Sequence, residues 1–149
     1  MNPARLRSYV RAHPRMAAAL AFGSAAMAVT HLAWVPEARM NGLTPALTIA
    51  AGVAHGVAGA ITGRRLVDST RTPTSLHAGL VGAGTSLLAL LFFSPPFAFF
   101  VSRGLRIASS WSYVWLTVWT GVFSFLGAGW ALLLVSIGVG WAIHRVAHP

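Results

Sequence analysis

The sequence predicts an all-α integral membrane protein, a bundle of four transmembrane helices with a short amphipathic N-terminal helix and an interfacial segment before the last helix. Three observations carry that prediction. Of the 149 residues, 56% are hydrophobic and only 9% charged, against about 25% charged residues in soluble domains. The apolar residues fall into four long runs, each near the roughly 20 residues a helix needs to cross about 30 Å of hydrocarbon. The eleven cations are all arginine, and they sit mostly between those runs. One transmembrane domain, residues 1–149, accounts for the whole length.

Residues 2–12 set Leu6, Tyr9 and Val10 at helical spacing against Arg5, Arg7 and Arg11. This pattern predicts a helix lying on an anionic membrane face, with anionic lipid as the partner of the arginine cluster. A positive-inside topology signal explains the same arginines without lipid recognition. His13-Pro14 ends the helix. The arginine-rich start followed by Ala26-Met27-Ala28 resembles a secretory signal, but the apolar run is too long for a typical signal core.

The first span is expected over 15–34, closed by Val35-Pro36, with an Ala- and Gly-rich surface that suits close helix approach. Thr44-Pro45 supplies an N-cap followed by proline at the first helical position. It opens a second span over 45–62, whose Gly52, Gly56 and Ala60, and Gly59 and Gly63, form small-xxx-small ridges. Thr72-Pro73 repeats the device ahead of a third span over 74–93, which Ser94-Pro95-Pro96 is expected to stop. Residues 97–110 mix Phe97, Phe99 and Phe100 with Arg103 and Arg106, the composition of an interfacial or re-entrant stretch; a kinked third helix continuing to Val101 is the alternative. The last apolar stretch, Trp111 to Ile143, is about 50 Å long as one helix, more than an untilted span requires. Its spanning part is expected over 117–143, with Gly121, Gly127 and Gly129 as places to bend and Trp111, Tyr113 and Trp115 at the interface.

Arginine counting sets the orientation. Arg5, Arg7, Arg11, Arg15, Arg64, Arg65, Arg71 and Arg145 flank one side of the four spans, against Arg39, Arg103 and Arg106 on the other. The richer side is expected in the cytoplasm, which puts both termini there and the protein in the cell (inner) membrane.

Chemistry-bearing groups are few. With no cysteine, thiolate catalysis and Cys-ligated metal are excluded, and with no lysine there is no phosphate-binding Walker loop. Glu37 and Asp68 are the only acids, both outside the expected spans. No catalytic residue and no metal site is assigned, and nucleic acid is not an expected partner of arginines placed this way. His13, His77, His144 and His148 share the cytoplasmic side, where interfacial histidine explains them more simply than a metal site does.

His55 is the most informative residue, because Ala51, Gly52, Ala58 and Gly59 surround it on its own helical face and leave the imidazole in a groove without bulk. A tetrapyrrole ligated by one histidine would need such a groove; so would a close helix crossing with one interhelical hydrogen bond, the reading favoured here. His31 lies about 10 Å from the level of His55 by helical rise, which argues against bis-histidine ligation. The tryptophan stripes Trp111, Trp115, Trp119 and Trp119, Trp130, Trp141 suit membrane belts and partner-facing ridges more than pigment stacking.

The function these features favour is that of a non-catalytic accessory or assembly subunit of a larger membrane complex, or a self-associating protein. The alternatives are a homo-oligomeric small-solute channel or carrier, and a tetrapyrrole- or quinone-binding membrane protein using His55.

Overall fold

The computed structural model describes residues 2–38, 44–68, 70–71, 74–104 and 109–148, and these are all helical apart from short connections. Helix α1 (Pro3–Ala12) is capped by the Asn2 side chain, which accepts from the Ala4 amide at 2.9 Å. The chain turns at His13 and enters α2 (Pro14–Ala38), with proline at the first position where its missing N–H costs no bond. Then come α3 (Thr44–Val67) and α4 (Ser75–Gly104). The last element is continuous: α5 (Ser110–Ser124), a π-helical turn (Phe125–Gly129) and α6 (Trp130–Ala147).

Among the described residues, three stretches are long and apolar enough to cross a membrane: Pro45–Val67, Ser75–Phe99 and Trp130–Ala147. Their outer surfaces match that solvent. On α3, Ile49, Val53, Val57 and Ile61 form an exposed stripe, and on α4 Leu76, Leu80, Leu87 and Leu91 do the same. An apolar stripe on the outside with alanine, threonine and serine inside is the arrangement expected where the surroundings are hydrocarbon.

Ser94-Pro95-Pro96 does not stop the third apolar helix, as the sequence led us to expect. α4 runs through both prolines to Gly104, past the Val101 of the kinked alternative. Beside them, the Ser94 hydroxyl donates to Leu90 O at 2.8 Å, and the Tyr113 hydroxyl, from α5, donates to Pro95 O at 2.8 Å. The interfacial segment expected over 97–110 is therefore helical up to Gly104; residues 105–108 lie outside the described residues, and Ser109 is the extended cap of α5.

α2 packs chiefly on α3 and α6 on α4, and contacts of α3 with α4 join the two pairs. Both pairs come close at glycine. A side chain at Gly59 or Gly63 would strike the backbone of Ala18 or Pro14, and one at Gly23 would reach Gly52 O at 3.0 Å. Between α4 and α6, a side chain at Gly82 would overlap Ser136 O, and one at Gly140 would reach Ala78 O at 2.5 Å. At the end of the bundle that holds both termini, Val10, Ala18, Phe22, Leu66, Ala78, Ile143 and Ala147 form one apolar core. Val10 and Leu6 of α1 pack into it, while Tyr9 of the same helix stays exposed.

Candidate functional site

The bundle holds a partly open cavity of about 250 Å³ in the half remote from both termini. α3 contributes Leu47, Ala51 and His55, α4 contributes Ala89, Leu90, Phe93 and Phe97, and α2 contributes Thr30. The last helix completes the wall with Thr120, Phe123, Ser124 and Leu132. The π-helical turn explains how that helix supplies both Ser124 and Leu132. Eight residues apart, they would diverge on a regular α-helix; the extra residue of a π turn returns Leu132 to the face it would share at a spacing of seven.

His55 is 3% exposed. Its Nδ1 lies 3.0 Å from Ala51 O, one turn back on the same helix, and its Nε2 lies 3.4 Å from Ser86 Oγ on α4. A carbonyl oxygen cannot donate, so the proton is on Nδ1, and in the neutral ring Nε2 is an acceptor. The bond to Ser86 is long, near the limit at which such a contact still counts as one.

The two most unusual groups are Thr30 and Thr48, whose hydroxyls are buried and have no hydrogen-bond partner. Other threonine hydroxyls turn back on their own helix: Thr62 to Ala58 O, Thr85 to Val81 O and Thr117 to Tyr113 O, at 2.8–3.0 Å. That bond is the ordinary solution in an apolar medium.

The structure divides the five residues of the expected His55 groove. Ala51 and His55 line the cavity. Gly52 faces Met27 and Gly23, Gly59 faces Ala18 and Phe22, and Ala58 is packed with Ala54 and Ala89. The groove predicted beside Gly52 and Gly59 is thus filled by α2. His31 is exposed. Of the other histidines, His144 Nδ1 and His148 Nε2 meet Leu66 O and Val67 O at 3.3 and 2.9 Å, and His77 bonds Thr74. Among the described residues, no three His, Asp or Glu gather as metal ligands. The loop acid Asp68 accepts from Thr70 and pairs with Arg71 at 3.4 Å; the Thr70 hydrogen bonds, with Arg71 behind them, hold its carboxyl below the usual carboxylate range.

Compared with known protein families, curated proteins and solved structures, the chain matches none.

Sequence reasoning missed Thr30, Thr120 and Ser124 as lining residues. A lone threonine in an apolar helix signals nothing, because it normally bonds its own backbone; only the absence of that bond marks Thr30. A second apolar groove, about 770 Å³, runs along the outside between α3 and α4 and shares Leu47, Phe93 and Phe97 with the cavity wall.

Proposed function

We propose that this chain is a four-span inner-membrane protein with both termini in the cytoplasm, and that it acts without catalysis by holding a lipid-soluble small molecule beside His55. The four-span count adds α2, 25 residues long, to the three apolar stretches. The orientation rests on the arginines at the end that holds both termini.

The observation that carries the binding reading is the unpartnered Thr30 hydroxyl, 5% exposed and in the wall of a cavity. Leaving a buried hydroxyl without a bond costs about 1–3 kcal/mol, and a ligand with a polar group there removes that cost. A tetrapyrrole fits poorly, since 250 Å³ is below the about 300–1,000 Å³ of ordinary ligand pockets. Conduction also fits poorly: toward the termini from His55, Thr62 and Thr85 bond each other at 2.8 Å and the core beyond is Phe22, Leu66 and Ala78.

Native mass spectrometry of the gently purified protein is the test. One tightly held small molecule per chain is expected, lost in Ala51→Phe, which fills the cavity. Equal bound mass in a folded Ala51→Phe protein would sink the reading.

A second reading, a subunit of a larger membrane assembly or a self-associating protein, is favoured by α5. Its Trp111, Trp115, Trp119 and Phe123 are exposed, with Trp111 edge-on to Trp115 and Trp119 stacked on Phe123. Detergent-corrected mass distinguishes a lone chain from either assembly.

A further inference from the structure

The chemistry of the cavity wall specifies the ligand further. We propose that it is a quinol-type lipid, with one hydroxylated ring seated in the cavity and an apolar tail lying in the groove between α3 and α4. This rests on the reading of the cavity as a binding site.

Polarity is the first reason. With Nδ1–H committed to Ala51 O, His55 presents only the Nε2 lone pair, so the ligand group that meets it must donate. A ring hydroxyl does so, and it competes with a Ser86 contact that is already long at 3.4 Å. Thr30 both donates and accepts, so the oxygen at the far side of the same ring satisfies it in either role.

Size and shape are the second. The space of about 250 Å³ admits a single ring system, not a fused macrocycle. The groove outside, about 770 Å³ and bordered by the exposed Ile49, Val53 and Val57, offers a tail a path along the lipid face. Leu47, Phe93 and Phe97 border both spaces, so a ligand can have its head in one and its tail in the other. Those phenyl rings, with Phe123, suit a flat partner. Among the described residues, the cavity wall carries no acid, lysine or arginine, which suits a neutral ligand.

The test is titration of the full-length, delipidated protein, without oxygen, with a short-tailed 1,4-benzoquinol, the matching benzoquinone and the quinol dimethyl ether, read as a rise in unfolding temperature. The quinol is expected to bind, with the quinone and the ether each at least roughly tenfold weaker, the loss expected for one hydrogen bond of about 1.4 kcal/mol. Thr30→Val, which keeps the side-chain shape, should weaken quinol binding by a similar factor. Equal affinity for all three probes would overturn the donor assignment. No binding of the quinol by a protein that still holds a co-purified lipophile sensitive to Ala51→Phe would overturn the ligand class but not the site. No probe binding, with no such lipophile, would overturn both.

Discussion

Arg11 of α1 donates through Nε and Nη2 to the carbonyl oxygen of Ala147, the last residue of α6, at 2.9 and 2.5 Å. A carbonyl at a helix C-terminus lacks an intrahelical donor and carries the negative end of the dipole, so a guanidinium is a well-matched partner. His144 and His148 bond the corresponding carbonyls of α3. One end of the bundle is thus braced by side chains that close two helix ends. Arg11→Met keeps the stem and removes the donors. It is expected to loosen α1 by about 1.5 kcal/mol, the lower end for a hydrogen bond to a charged group. Amide exchange should then speed up about tenfold in α1 and stay unchanged in α4; an unchanged α1 would show that Val10 and Leu6 hold it alone.

How far the sequence reveals this molecule depends on the range of the interactions involved. The break at His13-Pro14 is local, and the pattern of residues 2–15 shows it directly. The continuation of α4 through Pro95-Pro96 runs against the local signal, since two prolines remove two helix donors and read as a stop. The glycines at 127 and 129 signal a bend, but not a π turn that shifts the register of Leu132. At the site, the small residues around His55 mark a close packing surface, and Gly52 and Gly59 belong to the contact with α2. Which side of that surface is filled and which stays open depends on three other helices, and no spacing within α3 reveals it.

Topology is tested by reporter fusions. The N-terminus, residues 64–71 and the C-terminus should report cytoplasm, and Arg103 the opposite side. Arg103 in the cytoplasm would rule out four spans and require three or five.

Glycine substitutions should sort by what each side chain meets. At Gly84 and Gly138 nothing lies within 4 Å, and at Gly56 only Ala19 O lies close, at 3.4 Å. Alanine at these positions should be tolerated. Gly82→Ala and Gly63→Ala press on backbone and should destabilise by about 1–3 kcal/mol, the usual cost of overpacking. Gly56→Leu, bulkier than that gap, should separate α2 from α3, as should Gly23→Leu. Thermal unfolding in a fixed detergent gives the order; equal melting of Gly82→Ala and Gly84→Ala would show that α4 and α6 do not approach as described.

The interhelical contact of His55 is best measured by a double-mutant cycle with Ser86. The coupling between His55→Ala and Ser86→Ala is expected at or below about 0.6 kcal/mol, the average for such bonds in membranes, because the contact is long. A coupling above about 2 kcal/mol would show that the two residues share a tighter network than this geometry allows.

Thr30 and Thr85 provide a comparison of opposite sign. Thr85 is fully buried and bonded twice, to Val81 O and to the Thr62 hydroxyl, both at 2.8 Å. Thr85→Val should cost about 1 kcal/mol, the ordinary worth of a hydrogen bond. The Thr30 hydroxyl is also buried and has no partner, so Thr30→Val deletes a desolvated hydroxyl without deleting a bond. In protein stripped of small molecules it should raise stability by about 1 kcal/mol. With a ligand bound through Thr30 the sign reverses, because the substitution weakens binding and binding adds RT ln(1 + [L]/Kd) to the folded state. Melting curves of both variants, before and after delipidation, separate these terms. If Thr30→Val lowers stability equally in both preparations, its hydroxyl has a protein partner in the membrane, and the cavity loses the feature that marks it as a site.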